Sequence, residues 1–144
     1  MLPNNDASPA TERAEIEQLF SEFSWCVDHG DSARLSELFV PDGVLFVGGQ
    51  EMKGRATIRN TLAERFKTDG RKTQHVWSNL RIISVDHRSM RTAAVQLTFE
   101  QFGDSEQTHL RISELSDSLQ RDDRGPWRFA NRVIDRRMTL TFPT

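Results

Sequence analysis

The order of its hydrophobic periods most restricts what this chain can fold into: every helical repeat lies before residue 70, and everything after Lys72 reads as long strand. Ile16, Leu19, Phe20, Phe23 and Val27 recur at three- and four-residue spacing, with Thr11 as a cap and Gly30 as a stop, which predicts a helix ending near His29. Asp31 opens a second helix, DSARLSELF, whose stripe is Leu35, Leu38 and Phe39 and which Pro41 closes. Residues 44–47 read as a short strand, Gly48 and Gly49 as a hairpin turn, and 51–53 as its return. Gly54 then releases a third helix with Ile58, Leu62 and Phe66 on one stripe. Strands are predicted over 73–85, 90–102, 109–120 and 127–142, between polar or glycine-containing turns.

Helices followed by strands, rather than alternating with them, point to an α+β domain. The expected architecture is a strongly bent antiparallel sheet covered by three N-terminal helices, a cone-shaped barrel around a pocket. With 144 residues, one domain over 12–144 can bury its own core. Residues 1–11, MLPNNDASPAT, carry no apolar periodicity and are expected to form a flexible arm.

A net charge of −2 gives no general attraction to nucleic acid. The arginine-dense stretch containing Arg128, Arg132 and Arg136 is explained by a basic outer face or by ion pairs between subunits. Cys26 is alone, so it forms no internal disulfide, and no Cys/His cluster has zinc-site spacing. No stretch has the apolar length of a signal peptide or a membrane span. A cytoplasmic protein is expected, with no metal, nucleic acid or membrane partner. GxSxG, HExxH and phosphate-loop motifs are all missing.

The stretch KTQHVWSNLRII carries the candidate chemistry. His75, Trp77 and Asn79 alternate, so one face of a strand holds all three. An exposed tryptophan there would be unusual, and buried polar groups need partners. The cluster is therefore either a hydrogen-bonded part of the core or a polar patch in a pocket. Gln96, Thr98 and Glu100 share a face on the next strand, as do Glu114 and Ser116 on the one after; periodicity does not fix which parity points inward. Asp28 sits in the last turn of the first helix, where the dipole and partial burial both predict a raised pKa; a solvated flank position is the alternative. His29 suits that helix end structurally, Asp31 caps the next helix, and His87 and His109 lie at a turn and a strand edge.

Three segments, WCVDHGDSARLSELFVPDGV, KTQHVWSN and SDSLQRDDRGPWRFANRVIDRR, resemble the SnoaL-like group of the nuclear transport factor 2-like superfamily. That superfamily has a cone-shaped, cystatin-like fold and includes scytalone dehydratase, ketosteroid isomerase, polyketide cyclases and the small subunits of ring-hydroxylating dioxygenases. The resemblance implies an acid/base dyad of Asp28 and His75, with Trp25, Trp77, Asn79, Gln96, Thr98 and Glu114 contacting substrate. It also implies a homodimer and a cofactor-independent lyase, isomerase or cyclase. Such an enzyme would abstract a proton next to a carbonyl of a hydrophobic substrate, a range that includes polycyclic polyketide- or steroid-like molecules. A small-molecule-binding or accessory protein, or a dioxygenase small-subunit-like structural protein, is the alternative. Trp25 stands where relatives carry tyrosine, and the chain contains no tyrosine at all, so the usual carbonyl-polarising phenol is missing.

Overall fold

A computed structural model describes residues 9–68 and 70–143. The element order is α1 (Pro9–Asp28), α2 (Ser32–Glu37), β1 (Phe39–Val47), β2 (Gln50–Lys53), α3 (Arg55–Phe66), β3 (Arg71–Val85), β4 (Ser89–Phe102), β5 (Gln107–Gln120) and β6 (Arg128–Pro143). Helix α1 buries Ile16, Leu19, Phe20 and Phe23, the stripe its spacing requires, and Gly30 at φ 70 supplies the left-handed residue that ends it. It begins at Pro9, so Thr11 lies inside the helix rather than capping it, and the expected arm is left with residues 1–8, outside the described residues. Asp31 does cap α2, its side chain accepting from the Arg34 backbone N–H. That helix stops at Glu37, and Phe39 and Pro41 belong to β1. Pro41 fits there because it falls where the β1–β6 pairing shifts, between Phe39 and Val44, and its missing N–H breaks no ladder bond.

The α+β architecture is as expected, with one correction to the sheet. Its six strands run in the order β2-β1-β6-β5-β4-β3, and β1 lies parallel to β6. The sheet is therefore mixed rather than wholly antiparallel, and it remains open between β2 and β3 instead of closing into a barrel. Strand β1 is short, and after its hairpin the chain leaves through α3 to the far edge, so the last strand is the one that docks beside β1. Packing bridges the gap: α1 lies against β3, and α3 lies against β1 and β2.

Register decides what the inner face presents. Rows across the sheet join Met90–Leu119–Phe129 and Ala94–Leu115–Ile134 at one end, apolar and covered by α1. Toward the other end the rows become His75–Thr98–Arg111, Gln96–Ser113–Arg136 and Thr73–Glu100–His109. The concave face thus changes from core to polar wall along its length. One polar pair lies within the apolar part: Arg132 and Asp117 have side chains 1% and 0% exposed, with Nε and Oδ1 3.5 Å apart. The Arg132 guanidinium stacks over the rings of Phe20, Phe23 and Phe129 at 4.3–4.6 Å. The expectation that Arg132 belongs to a basic outer face is overturned, because the shift in the β5–β6 ladder at Ser118/Leu119 brings it opposite Asp117 on the inner side.

Candidate active site

Helix α1 ends on Asp28 just where β3 passes beneath it, so the carboxylate reaches three consecutive residues of that strand. Its Oδ1 lies 2.6 Å from His75 Nδ1 and accepts from the Thr73 hydroxyl at 3.0 Å. Its Oδ2 accepts from the His75 backbone N–H at 2.9 Å and from Gln74 Nε2 at 3.4 Å. Both side chains are largely enclosed, 7% exposed for Asp28 and 8% for His75. Burial pushes the Asp28 carboxyl up, but the ring, backbone and charge contacts of His75, with the Thr73 hydroxyl, outweigh it and hold the group below the usual range. The raised pKa expected from dipole and burial is thus reversed by the hydrogen bonds and charge of His75 together with the Thr73 hydroxyl. A carboxylate held ionised cannot donate, so His75 Nδ1 carries a proton, and in the neutral ring the lone pair is therefore on Nε2. Among the described residues Nε2 has no hydrogen-bond partner.

His75 lines a cavity of about 220 Å³ in the open end of the cone. Gln96, Thr98, Glu100 and Ser113 form its polar floor, while Phe23, Val27, Leu62 and Phe66 supply its apolar side. The Gln96 side chain is 2% exposed and its Oε1 is buried without a partner among the described residues. Glu100, equally buried, is held by Arg71 Nε at 2.6 Å and by Arg111 Nη2. Burial pushes the Glu100 carboxyl up, but Arg111 and Arg71 outweigh it and keep it low. Sequence reading passed over Arg71 and Arg111; the available signal was the alternation of Arg111 with Ser113, once Gln96 and Thr98 fix the inward parity of β4.

Of the expected site residues, His75, Gln96 and Thr98 line the cavity, Asp28 stands behind His75 in contact with its Nδ1, and four lie elsewhere. Trp25 is 59% exposed and stacks on His29 at 3.8 Å, since it projects from the side of α1 opposite Phe23. Trp77 does share the inward face with His75, but it packs edge-on to Phe20 and donates from Nε1 to the Ser21 hydroxyl at 3.2 Å. Asn79 leaves that face altogether: a bulge between Ser78 and Arg81 puts it at φ 57, exposed, and Leu80 takes the inward place. Glu114 points outward and pairs with Arg137 at 2.9 Å, because Glu100 pairs with His109 in register and the inward parity is even on β4 but odd on β5. His29 bonds the Trp25 carbonyl, His87 pairs with Asp123 and His109 with Thr141, all away from the dyad. Burial pushes the Cys26 thiol up to about 11, which leaves it unreactive at neutral pH. Among the described residues no three His, Cys, Asp or Glu side chains gather in a metal-holding group, and no helix is long and apolar enough to cross a membrane.

A family model for the SnoaL-like domain matches residues 8–133. The chain belongs to the SnoaL-like family. No curated protein sequence matches it. Among solved structures, a protein provisionally assigned as a scytalone dehydratase from Novosphingobium aromaticivorans DSM 12444 superposes with a TM-score of 0.81 at 24% identity, over 94% of this chain and 90% of that one. A hexachlorocyclohexane dehydrochlorinase, LinA type 2, gives 0.81 at 20% identity over 92% and 90%. ActVI-ORFA from Streptomyces coelicolor gives 0.77 at 17% over 89% and 96%. At these identities the likenesses establish a shared fold for this SnoaL-like chain, and its chemistry rests on its own residues.

Proposed function

We propose that this SnoaL-like protein is a cofactor-independent acid/base enzyme, a lyase, isomerase or cyclase that abstracts a proton from carbon beside a carbonyl. The observation that carries the reading is the 2.6 Å contact between Asp28 Oδ1 and His75 Nδ1 at the edge of a cavity that His75 itself lines. Asp28 is the positioning residue: it fixes the tautomer and favours the imidazolium that forms on proton transfer. His75 Nε2 takes the proton, and the C–H electron pair passes into a new carbon–carbon double bond. Either the carbonyl oxygen receives the charge as an enolate, or a leaving group departs with its bonding pair, and His75 returns the proton to oxygen or carbon. Gln96 stands two residues from Thr98 on the same inward face, where its carboxamide can donate to the developing oxyanion in place of the absent phenol. Two of the structural relatives carry names, dehydratase and dehydrochlorinase, that denote eliminations.

A panel of β-hydroxy carbonyl compounds and cyclic enones, assayed for elimination and for solvent deuterium uptake at the acidic carbon, tests the proposal. His75→Ala should lower kcat/KM by about 10²–10⁴-fold with unchanged circular dichroism. Near-normal turnover in that variant would remove His75 as the base. The binding-only reading draws on the total absence of tyrosine; it predicts that ligand released from the protein is chemically unaltered after incubation.

Assembly as a homodimer in the cytoplasm belongs to the same proposal. The outer sheet face exposes Val76 on β3, Phe99 on β4, and Met138 and Leu140 on β6, 37–56% accessible.

A further inference from the structure

The cavity beside His75 carries more positive charge than its structural role explains. Its lining includes Arg65, Arg71, Arg111 and Arg136 and one acidic side chain, Glu100, a formal surplus of three positive charges in a space of about 220 Å³. Glu100 uses one nitrogen each of Arg71 and Arg111, through Arg71 Nε and Arg111 Nη2. A guanidinium offers five N–H donors, so most of both forks are left over. Arg136 is exposed and has no partner among the described residues. Buried Glu100 therefore acts as a clip that holds two guanidiniums at the cavity rim without cancelling their charge.

Register places this clip relative to the base. His75, Thr98 and Arg111 lie in one row across β3, β4 and β5, and Arg136 ends the neighbouring row after Gln96 and Ser113. Two strand spacings of about 4.8 Å separate the His75 and Arg111 backbones, roughly 10 Å in all. The apolar residues Val27, Leu62 and Phe66 line the same space, and the Gln96 oxygen remains buried and unpartnered. An acceptor in that state calls for a donor from the occupant. The cavity is also smaller than the ~300–1,000 Å³ of common ligand pockets, which suits one ring rather than several.

We infer that the occupant is a small organic carboxylate with a single-ring or similarly compact apolar body, its carboxylate gripped by Arg111, Arg71 and Arg136 and its other end presented to His75. Planar guanidinium forks match a carboxylate with paired hydrogen bonds, which a neutral amide of the same shape cannot reproduce. A hydroxyl on the ring supplies the donor that Gln96 lacks. The inference rests on the acid/base reading only for what His75 then does; the grip itself is a binding property.

Isothermal titration calorimetry with benzoate, para-hydroxybenzoate and phenylacetate, each against its amide, tests it on the full-length protein. At least one acid should bind about tenfold or more tighter than its amide, and added salt should weaken the acid alone. Arg136→Gln, which changes an unpartnered surface side chain, should weaken that acid about tenfold and leave the amide unaffected; Arg111→Gln should do the same with a larger loss. His75→Ala should change acid affinity by less than about threefold. Equal binding of acid and amide, no binding by any acid, or indifference to both arginine changes would overturn the inference. Those outcomes leave the His75 turnover test standing, and failure of that test leaves the grip standing.

Discussion

Replacing Asp117 with Asn sets two physical expectations against each other. Removing one partner of a buried ion pair commonly costs about 3–5 kcal/mol, because the other charge is stranded. Here, however, the pair is poorly made: Arg132 Nε and Asp117 Oδ1 are 3.5 Å apart, and neither carboxylate oxygen has a hydrogen bond. Burial pushes the Asp117 carboxyl up from 3.8 to about 6 against the pull of Arg132, so desolvation outweighs attraction. A rise from 3.8 to about 6 means that carrying the charge in the folded state costs about 3 kcal/mol relative to the protonated form. The folded protein holds this proton more tightly than the unfolded chain does. Its stabilising effect is therefore complete below about pH 4 and is lost as pH rises through about 6. The neutral isostere Asp117→Asn should thus be as stable as wild type, or up to about 3 kcal/mol more stable, near neutral pH. That advantage should shrink by about 1 kcal/mol between about pH 7 and about pH 5, as the wild-type carboxyl takes up its proton. Urea unfolding followed by tryptophan fluorescence reads this well, since Trp127 is 4% exposed. A loss of about 2 kcal/mol or more near neutral pH, unchanged at about pH 5, would refute the reasoning and show the pair to be net favourable. The outcome bears on function because Arg132 stacks on Phe20 and Phe23 of α1, the helix that carries Asp28.

Leu140→Asp should turn the proposed homodimer into a monomer of 16.6 kDa by light scattering, since Leu140 lies on the exposed apolar face with Met138 and Phe99; a variant mass still twice that value would move the interface elsewhere, and a monomeric wild type would remove the dimer. Asn79→Gly should leave kcat/KM within about twofold and stability unchanged, because Asn79 is exposed at φ 57 away from the cavity. Asn79→Val should cost about 1–2 kcal/mol in denaturant unfolding from the same backbone angle. A large loss of turnover in Asn79→Gly would restore it to the site.

Helix-then-strand order was enough to read the α+β class, and the spacing of Ile16, Leu19, Phe20 and Phe23 was enough to read which side of α1 is buried. The parallel β1–β6 pairing was not legible, because periodicity marks a strand without marking its neighbour. Asp28 and His75 stood out by helix-end position and strand face and were paired through the resemblance, while their relation depends on three-dimensional donors: the lowered Asp28 pKa comes from His75 and Thr73, residues 47 and 45 positions away. Local rules misplaced the polar residues wherever a bulge or a change of parity intervened. Asn79 was assigned to the His75 face by alternation, and one bulge moved it out. Glu114 was assigned by analogy with Gln96, but the β4–β5 register turns odd residues inward on β5. Arg132 looked like a surface cation for the same reason, and Arg111 passed unnoticed until Thr98 lay beside it.

The proposed proton abstraction depends on Asp28 holding His75 with its proton on Nδ1 and its lone pair on Nε2. Heteronuclear NMR of protein labelled at the histidine ring nitrogens, with the His75 signals identified by their loss in His75→Ala, measures this directly. At a pH where the ring is neutral, wild type should show a protonated Nδ1 and an unprotonated Nε2, and Asp28→Asn should lose that preference. A wild-type ring protonated on Nε2 instead would contradict the account, because the nitrogen assigned to take the substrate's proton would already carry one.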